Sequence, residues 1–442
     1  MKQNTTLNKY EAYKPSNVEW LGEIPEHWEV KRLKFLLREN LKYGANESGI
    51  NYEPSLPRYI RITDFSEDGK LSEKKKLSLS WEIGKKYLLE DGDILFARSG
   101  ATVGKSYLFQ KAMSFEKYYS FAGYLIKASV NKNNLESSFL KYYTESRCFE
   151  EWKEFIFNKA TIENIGADKY SNLLVILPPL SEQAAIAAFL DDKTAKIDTA
   201  IAQKEQLIKL LQERKQIMIQ EAVTKGIKFC NTERRRSRQN EAPEMGSLSE
   251  VEMKDSGVEW IGDIPAHWGV KALKHIAYLQ SGDTISSESF KEEGYPVYGG
   301  NGFRGYSSNY TNDGHHCLIG RQGALCGNVN YAKGKFFASE HAIVVYPLKG
   351  ENTLWLGETI KIADFNRLSQ SAAQPGIAIS VIKNVIFPYP PLSEQKEIAG
   401  YIEKESAKIE KAVGLQKKQI KKLREYKNTL IDSSVRGKIK VC

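Results

Sequence analysis

The chain has 442 residues, 41% hydrophobic and 11% aromatic, with 64 Lys plus Arg against 55 Asp plus Glu. That composition predicts two or three globular domains and excludes wholesale disorder and fibrous repeats. No apolar run approaches the ~20 residues of a membrane span. The opening MKQNTTLNKYEAYKPS lacks the apolar stretch of a secretory signal, and five scattered cysteines without a CxxC pair argue against a disulfide framework. A soluble protein of a reducing cytoplasm is expected.

In chain order, the first element is SNVEWLGEIPEHWEVKRLK, Ser16 to Lys34, a tryptophan-proline motif that returns as SGVEWIGDIPAHWGVKALK at Ser256 to Lys274. Such internal repetition organises everything else. The stretch that follows, residues 35–177, carries short β-branched or alternating runs such as RYIRITDF, DILFAR and GYLIKA, with a helix expected from Ser137 to Asn158. Residues 1–177 therefore read as a β-rich α/β domain. At Pro178 to Gln183 the sequence PPLSEQ closes it, and this hexapeptide returns at Pro390 to Gln395. The two repeats are offset by 240 and 212 positions, so the stretch between the anchors is 28 residues longer in the first copy.

Residues 178–227 then take a helical period. Ala187, Leu190, Ile197, Ile201, Ile208, Leu211, Met218 and Ala222 keep 3–4 spacing, with Ser181 as expected N-cap and Gly226 at the far end. Some 45 residues at 1.5 Å rise give roughly 65–70 Å. An apolar stripe on a helix that long needs a partner helix or its own globular block. Residues 228–255 are polar, with six acids and six bases over 227–255, and read as a flexible linker. Its Arg234, Arg235, Arg236 and Arg238 are either solvated or phosphate contacts.

Residues 256–389 form the second β-rich domain, with strands expected in CLIG and HAIVVYP. It keeps one echo of the first: LFARSGATVG (Leu95 to Gly104) against LIGRQGALCG (Leu318 to Gly327), sharing Arg-x-Gly-Ala-x-x-Gly. Residues 390–438 repeat PPLSEQ and the long helix, now with Ile402, Ile409, Val413, Ile420 and Leu423 on the stripe, Ser393 as expected N-cap and Gly437 at the end. The other copy is the natural partner, which predicts an antiparallel pair. This last segment holds 12 basic against 7 acidic residues over 393–438, so the positive excess concentrates there. Overall the fold class expected is α+β: two similar β-rich α/β domains joined by a pair of long antiparallel, coiled-coil-like helices, an internal pseudo-two-fold repeat.

Catalytic signatures are missing. SGATVGKSY (Ser99 to Tyr107) imitates a phosphate loop, but Ser99 stands where the first glycine is needed and the second copy lacks Lys-Ser. His315, His316, Cys317, Cys326 and His341 match no zinc spacing and have no counterpart in the first copy. Neither Pro-Pro pair is followed by the Tyr or Phe of an amino-methyltransferase motif; both precede Leu. The chain reads as a recognition or scaffold protein without a cofactor of its own.

The duplicated WLGEIPEHWEVKRLK and WIGDIPAHWGVKALK motifs, each followed by a divergent block, PPLSEQ and a long helix, closely resemble the DNA-specificity subunits of type I restriction-modification systems. The likeness covers nearly the whole chain, and YGGNG (Tyr298 to Gly302) is similar to a loop of the family's second block. The resemblance implies two target-recognition domains spaced by the helices, reading an asymmetric bipartite site on double-stranded DNA. Two methyltransferase subunits would dock on the repeated regions, with translocase-nuclease subunits recruited to that core. S-adenosylmethionine, ATP and Mg would sit on those partners, directing adenine methylation and restriction in a bacterial or archaeal cytoplasm.

Two heads on a rigid helix pair could read half-sites about one turn, ~34 Å, apart. Candidate DNA contacts are Arg58, Arg61, Asn158, Lys159 and Asn164 in the first block, and Tyr298, Asn301, Arg304, Gln370 and Gln374 in the second. Arg suits guanine, and Asn or Gln adenine, in the major groove. Arg98 and Arg321 are expected to be structural or phosphate-binding. Trp20, Pro25 and Trp28 with their copies Trp260, Pro265 and Trp268 are expected as framework, with partner contact the second reading. A methylation-only complex, a protein-binding scaffold and a nucleotide-driven enzyme acting through Gly104 to Ser106 remain the alternatives.

Overall fold

The structure is a computed structural model that describes residues 8–65, 71–100, 103–157, 164–238, 251–323, 325–369 and 376–441. It divides into two compact units, one of residues 1–204 with 417–442, the other of residues 205–416. The division cuts both long helices, Leu180–Arg238 and Leu392–Val435, so each unit holds one half of each.

In the first unit Tyr13–Pro15 pairs antiparallel with Glu23–Pro25, and Glu29–Arg32 pairs with Leu174–Leu177 just ahead of PPLSEQ. The rest of the block forms two four-stranded sheets. One runs Lys42–Tyr43, Leu125–Ala128, Ile94–Ala97, Ser106–Leu108 in spatial order; the other runs Tyr119–Phe121, Arg58–Ile60, Leu77–Ser78, Ile50–Asn51. The second unit repeats the ribbon (Met253–Asp255 with Asp263–Pro265) and the closing pair (Gly269–Ala272 with Ile386–Tyr389). Its remaining six strands form one sheet, Ala277–Ser281, Ala342–Pro347, Asn312–Gly320, Val329–Ala338, Tyr295–Gly299, Gly302–Ser307. One element explains the difference. The ten-residue strand Val329–Ala338 bonds to both flanks. In the first unit its two ends correspond to Ser106–Leu108 and Tyr119–Phe121, and the longer segment between them splits the sheet.

The expected helix from Ser137 is two helices, Ser137–Thr144 and Arg147–Phe157. The long helices start one residue before the serines: Leu180 and Leu392 are already helical, and the carbonyls of Pro179 and Pro391 accept the N–H groups of Gln183 and Gln395 at 2.9 and 3.0 Å. Ser181 and Ser393 thus stand inside the first turn rather than capping it. Leu392–Val435 ends at Gly437 (φ 68), with Gly437 N–H donating to Ser434 O and Lys438 N–H to Ser433 O, a left-handed helix stop that favours glycine. The first helix breaks at Gly226 (φ 79, ψ 171) and then resumes to Arg238, so residues 228–238 of the expected linker are helical, and Met253–Asp255 at its other end is a strand. Residues 239–250 lie outside the described residues.

Within each unit the two helix halves run antiparallel. Asp198 pairs with Lys427 and Lys204 with Gln419 in the first unit, while Lys215 pairs with Glu410 in the second. Of the stripe, Leu190, Ile197, Ile201, Ile402 and Ile420 are buried, and Ile208, Leu211, Ile409, Val413 and Leu423 are half-buried. In the second unit Met218, Ile219, Ala222 and Val223 share one apolar core with Ile398, Ala399, Ile402, Trp268 and Trp355. No helix among the described residues is long and apolar enough to cross a membrane.

Candidate nucleic-acid interface

The duplicated motifs meet in a clamp that occurs in both units. Trp28, wholly buried, donates its indole N–H to Glu182 Oε2 at 3.0 Å, and His27 Nε2 lies 2.6 Å from Glu182 Oε1. In the second unit Trp268 donates to Glu394 Oε2 at 3.0 Å and His267 Nε2 lies 2.7 Å from Glu394 Oε1. A buried indole N–H needs an acceptor, and the glutamate of PPLSEQ supplies it across more than a hundred residues of chain. Tyr10 adds a third donor to Glu182. Burial opposes the charge on Glu182, but the bonds from His27, Trp28 and Tyr10 outweigh it and hold the carboxyl below its ordinary range.

The neighbouring glutamine is buried in both copies. Gln183 donates to Pro178 O and Asn134 O and accepts from Glu136 N–H; Gln395 donates to Pro390 O and accepts from Asn352 N–H. Each thereby ties the long helix to the N-terminus of a helix of its own block. The tryptophan motifs and PPLSEQ are framework in this geometry.

The Arg-x-Gly-Ala-x-x-Gly echo is a hairpin connection. It joins Ile94–Ala97 to Ser106–Leu108 and Asn312–Gly320 to Val329–Ala338, both antiparallel. A strand follows the glycines, so the helix N-terminus that a phosphate loop relies on is not built here. Gly100 and Gly104, like Gly323 and Gly327, take positive φ. Gly104 N–H donates to Ala97 O, and Gly327 N–H to Gly320 O.

Around this hairpin a constant backbone frame holds differing side chains. Arg98 N–H donates to Tyr124 O and Arg321 N–H to His341 O, while Ile165 and Ile377 N–H donate to the carbonyls of those arginines. Ser99 bridges to Asn164 and Gln322 to Gly376. Gly44 and Gly282 press against the turn that carries Tyr124 or His341: a Cβ would lie 2.3 Å from Phe121 O in one and 2.2 Å from Ala338 O in the other. Ala122 N–H donates to Ile60 O and Ser339 N–H to Tyr298 O, which aligns Arg61 with Gly299 and Thr63 with Asn301. The two arginines are held locally: Arg98 lies over the Tyr43 ring at 5.0 Å, and Arg321 donates to Ser281 Oγ.

The expected contact residues fall unevenly on this frame. Arg58 is 2% exposed, bonded to Glu73 and Ser72 O and paired with Glu116; Lys76 and Tyr119 complete the cluster. It is a core ion pair, not a surface group, because two carboxylates draw its guanidinium inward. Arg61 is half-exposed, bonded to Asp64 and Lys75 O, beside a groove of about 400 Å³ lined also by Asn46, Tyr59 and Tyr124. Asn164 is half-buried, and its side-chain oxygen has no hydrogen-bond partner among the described residues.

Tyr298 is half-buried on its strand, Asn301 is exposed at the turn, and Arg304 is exposed over the Phe290 ring. Asn158, Lys159, Gln370 and Gln374 lie outside the described residues. Sequence reading passed over Tyr124 and Gln322, and weighed His341 only for zinc, although Gln322 sits at the variable x of the repeated Arg-x-Gly-Ala. Cys317 and Cys326, raised as zinc candidates, are buried in the second core.

Comparison with known proteins matches this architecture. The family model described as type I restriction modification DNA specificity domain matches twice, over residues 25–210 and 265–422. The type I restriction enzyme EcoprrI specificity subunit of Escherichia coli is 40% identical over 139 residues, which is 30% of this chain and only 35% of that protein. The type I restriction enzyme MjaVIII specificity subunit of Methanocaldococcus jannaschii is 23% identical over 452 residues, 95% of this chain and 94% of that protein.

Two solved structures share the fold. A chain from a study of complex assembly and conformational transition of the type I R-M system has a TM-score of 0.71 at 16% identity, covering 94% of this chain and 99% of that one. The HsdS subunit from Thermoanaerobacter tengcongensis has a TM-score of 0.51 at 17% identity, covering 94% and 98%. With the specificity domain found twice across most of its length and each copy built on the same clamp and hairpin, the chain belongs to the DNA specificity subunits of type I restriction-modification systems.

Proposed function

We propose that this chain is the non-catalytic reader of its complex: each β-rich domain recognises one half of an asymmetric, bipartite double-stranded DNA sequence. The observation that carries this reading is the pairing of a constant frame with variable contents. The backbone bonds of hairpin and turn recur in both units, as do the indole and imidazole contacts of the clamp, while Ser99, Tyr124 and Thr63 of one unit stand where the other has Gln322, His341 and Asn301. Identical frames presenting unlike donors and acceptors suit two unlike short sequences.

The paired helices set the unread spacer and dock two methyltransferase subunits. Those partners carry S-adenosylmethionine, flip an adenine out of each half-site and methylate it. Translocase-nuclease subunits using ATP and Mg join the same core in the cytoplasm of a bacterium or archaeon. Of the surface candidates, Arg61, Asn164, Tyr298, Asn301 and Arg304 stay in the proposed DNA contact; Arg58 is withdrawn as a core residue. Asn158, Lys159, Gln370 and Gln374 are retained from sequence alone.

The test is single-molecule sequencing of modified DNA in cells carrying this chain and its neighbouring methyltransferase, against cells lacking this chain. A split asymmetric motif that vanishes with the chain is expected. An unchanged methylation pattern, together with no DNA binding by the purified complex, would refute the reading.

A further inference from the structure

The second unit fixes the orientation of one exposed amide. Gln322 is exposed, yet its Oε1 lies 3.1 Å from His341 Nδ1, and His341 Nε2 in turn lies 3.0 Å from Glu340 Oε1. A surface glutamine ordinarily rotates freely, and holding it costs side-chain entropy; here a ring anchored at its far nitrogen supplies the hold. The backbone beneath is equally determined. Gln322 bridges to Gly376, and Arg321 N–H donates to His341 O.

The Tyr298–Gly302 turn packs directly onto this pair. A Cβ on Gly300 would lie 3.0 Å from His341 O and 3.3 Å from Gln322 O, and one on Gly320 would lie 2.3 Å from Gly300 O. Asn301 and Arg304, both exposed, belong to the same hairpin, Asn301 directly after Gly300 and Arg304 against Gly299. Three separate stretches of chain thus bring polar groups to one place, where the first unit has Ser99, Tyr124 and Thr63 instead.

Resting on the function proposed above, we propose that Gln322 reads an adenine in the second domain's half-site, with His341 as its positioning residue. Adenine shows the major groove an acceptor at N7 beside a donor at N6, and a side-chain amide is the complement, N–H to N7 and oxygen to N6–H. With a proton on both ring nitrogens, His341 donates Nε2–H to Glu340 and Nδ1–H to Gln322 Oε1, which uses one lone pair of that oxygen. The other lone pair and both Gln322 Nε2 hydrogens remain for the base. The first unit has a hydroxyl at this place, so its half-site is read by different groups.

The test uses the full-length chain bound to its methyltransferase and duplexes carrying its modification motif, with 7-deazaadenine placed at each adenine of the second half-site in turn. One position should weaken wild-type binding by roughly 5- to 50-fold, the cost of leaving the donor that faced N7 unpaired while the bond to N6–H survives. Gln322→Ala should bind normal DNA about that much more weakly and be indifferent to 7-deazaadenine at that position alone. His341→Ala should lose part of the discrimination at the same base pair and none elsewhere, which a merely structural residue would not do.

A Gln322→Ala protein that keeps full discrimination at every adenine overturns the assignment, as does a second half-site containing no adenine on either strand. A uniform loss on all sequences, with the salt slope unchanged because the amide is neutral, would make Gln322 a phosphate neighbour and overturn it too. A wild-type complex indifferent to sequence would instead sink the function on which the assignment rests, and the assignment with it.

Discussion

Replacing Glu182 with alanine removes the acceptor of three donors, and the second copy provides a control within the same molecule. Trp28 is 0% exposed, so its indole N–H is left buried without a partner, at about 1–3 kcal/mol. Tyr10, 8% exposed, loses a bond to a charged group for about 1 kcal/mol more. The His27 side chain is 48% exposed, so competition from solvent holds the loss of its contact to a few tenths of a kcal/mol. Glu182→Ala is therefore expected to cost the first unit about 3 kcal/mol. Glu394→Ala strands Trp268 and His267 only, and should cost the second unit about 2 kcal/mol.

Urea titration read by hydrogen exchange in residues 20–36 and 260–276 separates the two units. The pH dependence has a definite sign. The Glu182 carboxyl is held below its ordinary value, so its stabilisation is complete above the unfolded glutamate range and lost as pH falls through the folded value. Wild type and Glu182→Ala should converge in acid. An unchanged midpoint for Glu182→Ala at neutral pH, or a larger loss for Glu394→Ala, would refute the clamp argument.

Arg58→Met should cost about 3 kcal/mol by leaving Glu116 buried with Lys76 as its remaining cation, and should disturb recognition of the first half-site through the fold alone; thermal melts and the modification motif of the variant check this. Gly437→Ala would place a methyl 2.5 Å from Pro25 Cγ at φ 68, whereas the methyl of Gly226→Ala would meet Trp268 at 3.1 Å. Both are destabilising, the first by about 2–3 kcal/mol and the second by about 1–2, and differential scanning calorimetry should rank them in that order. Removing seven residues from each long helix at matched positions shortens the pair by ~10 Å, roughly three base pairs of rise. The methylated motif should keep both half-sites and lose spacer; an unaltered spacer would defeat the helices' role as a ruler.

The duplication was legible because it is literal: Trp28 and Trp268, Glu182 and Glu394, Gly226 and Gly437 occur in matched contexts. What the repeats do was harder to read. Nothing local tells that a glutamate after Pro-Pro-Leu-Ser reaches back to an indole and an imidazole; only the recurrence of all three types in both copies carried a signal. Arg58 misled because an arginine in an alternating run is ordinarily a surface residue, and Glu73 and Glu116 that bury it are brought in by tertiary structure. Ser181 and Ser393 look like caps by type, yet the prolines before them already supply the first helical carbonyls. Gln322 was passed over for the opposite reason: its chemistry is plain, but its orientation depends on a histidine 19 residues away.

The first unit is assembled from both ends of the sequence, and this orders its birth on the ribosome. Arg436 donates to the carbonyls of Trp20 and Leu21, Tyr13 to Gly437 O, and Lys440 N–H to Asn8 O. Residues 205–416 form a contiguous unit that can close as it emerges, while residues 1–204 wait for 417–442. At about 5–20 residues per second the wait lasts on the order of 10–40 s, with the face of Trp28 that Gly437 will cover left open to chaperones and proteases. A premature stop near residue 420 would therefore spare the later-encoded domain and ruin the one translated first.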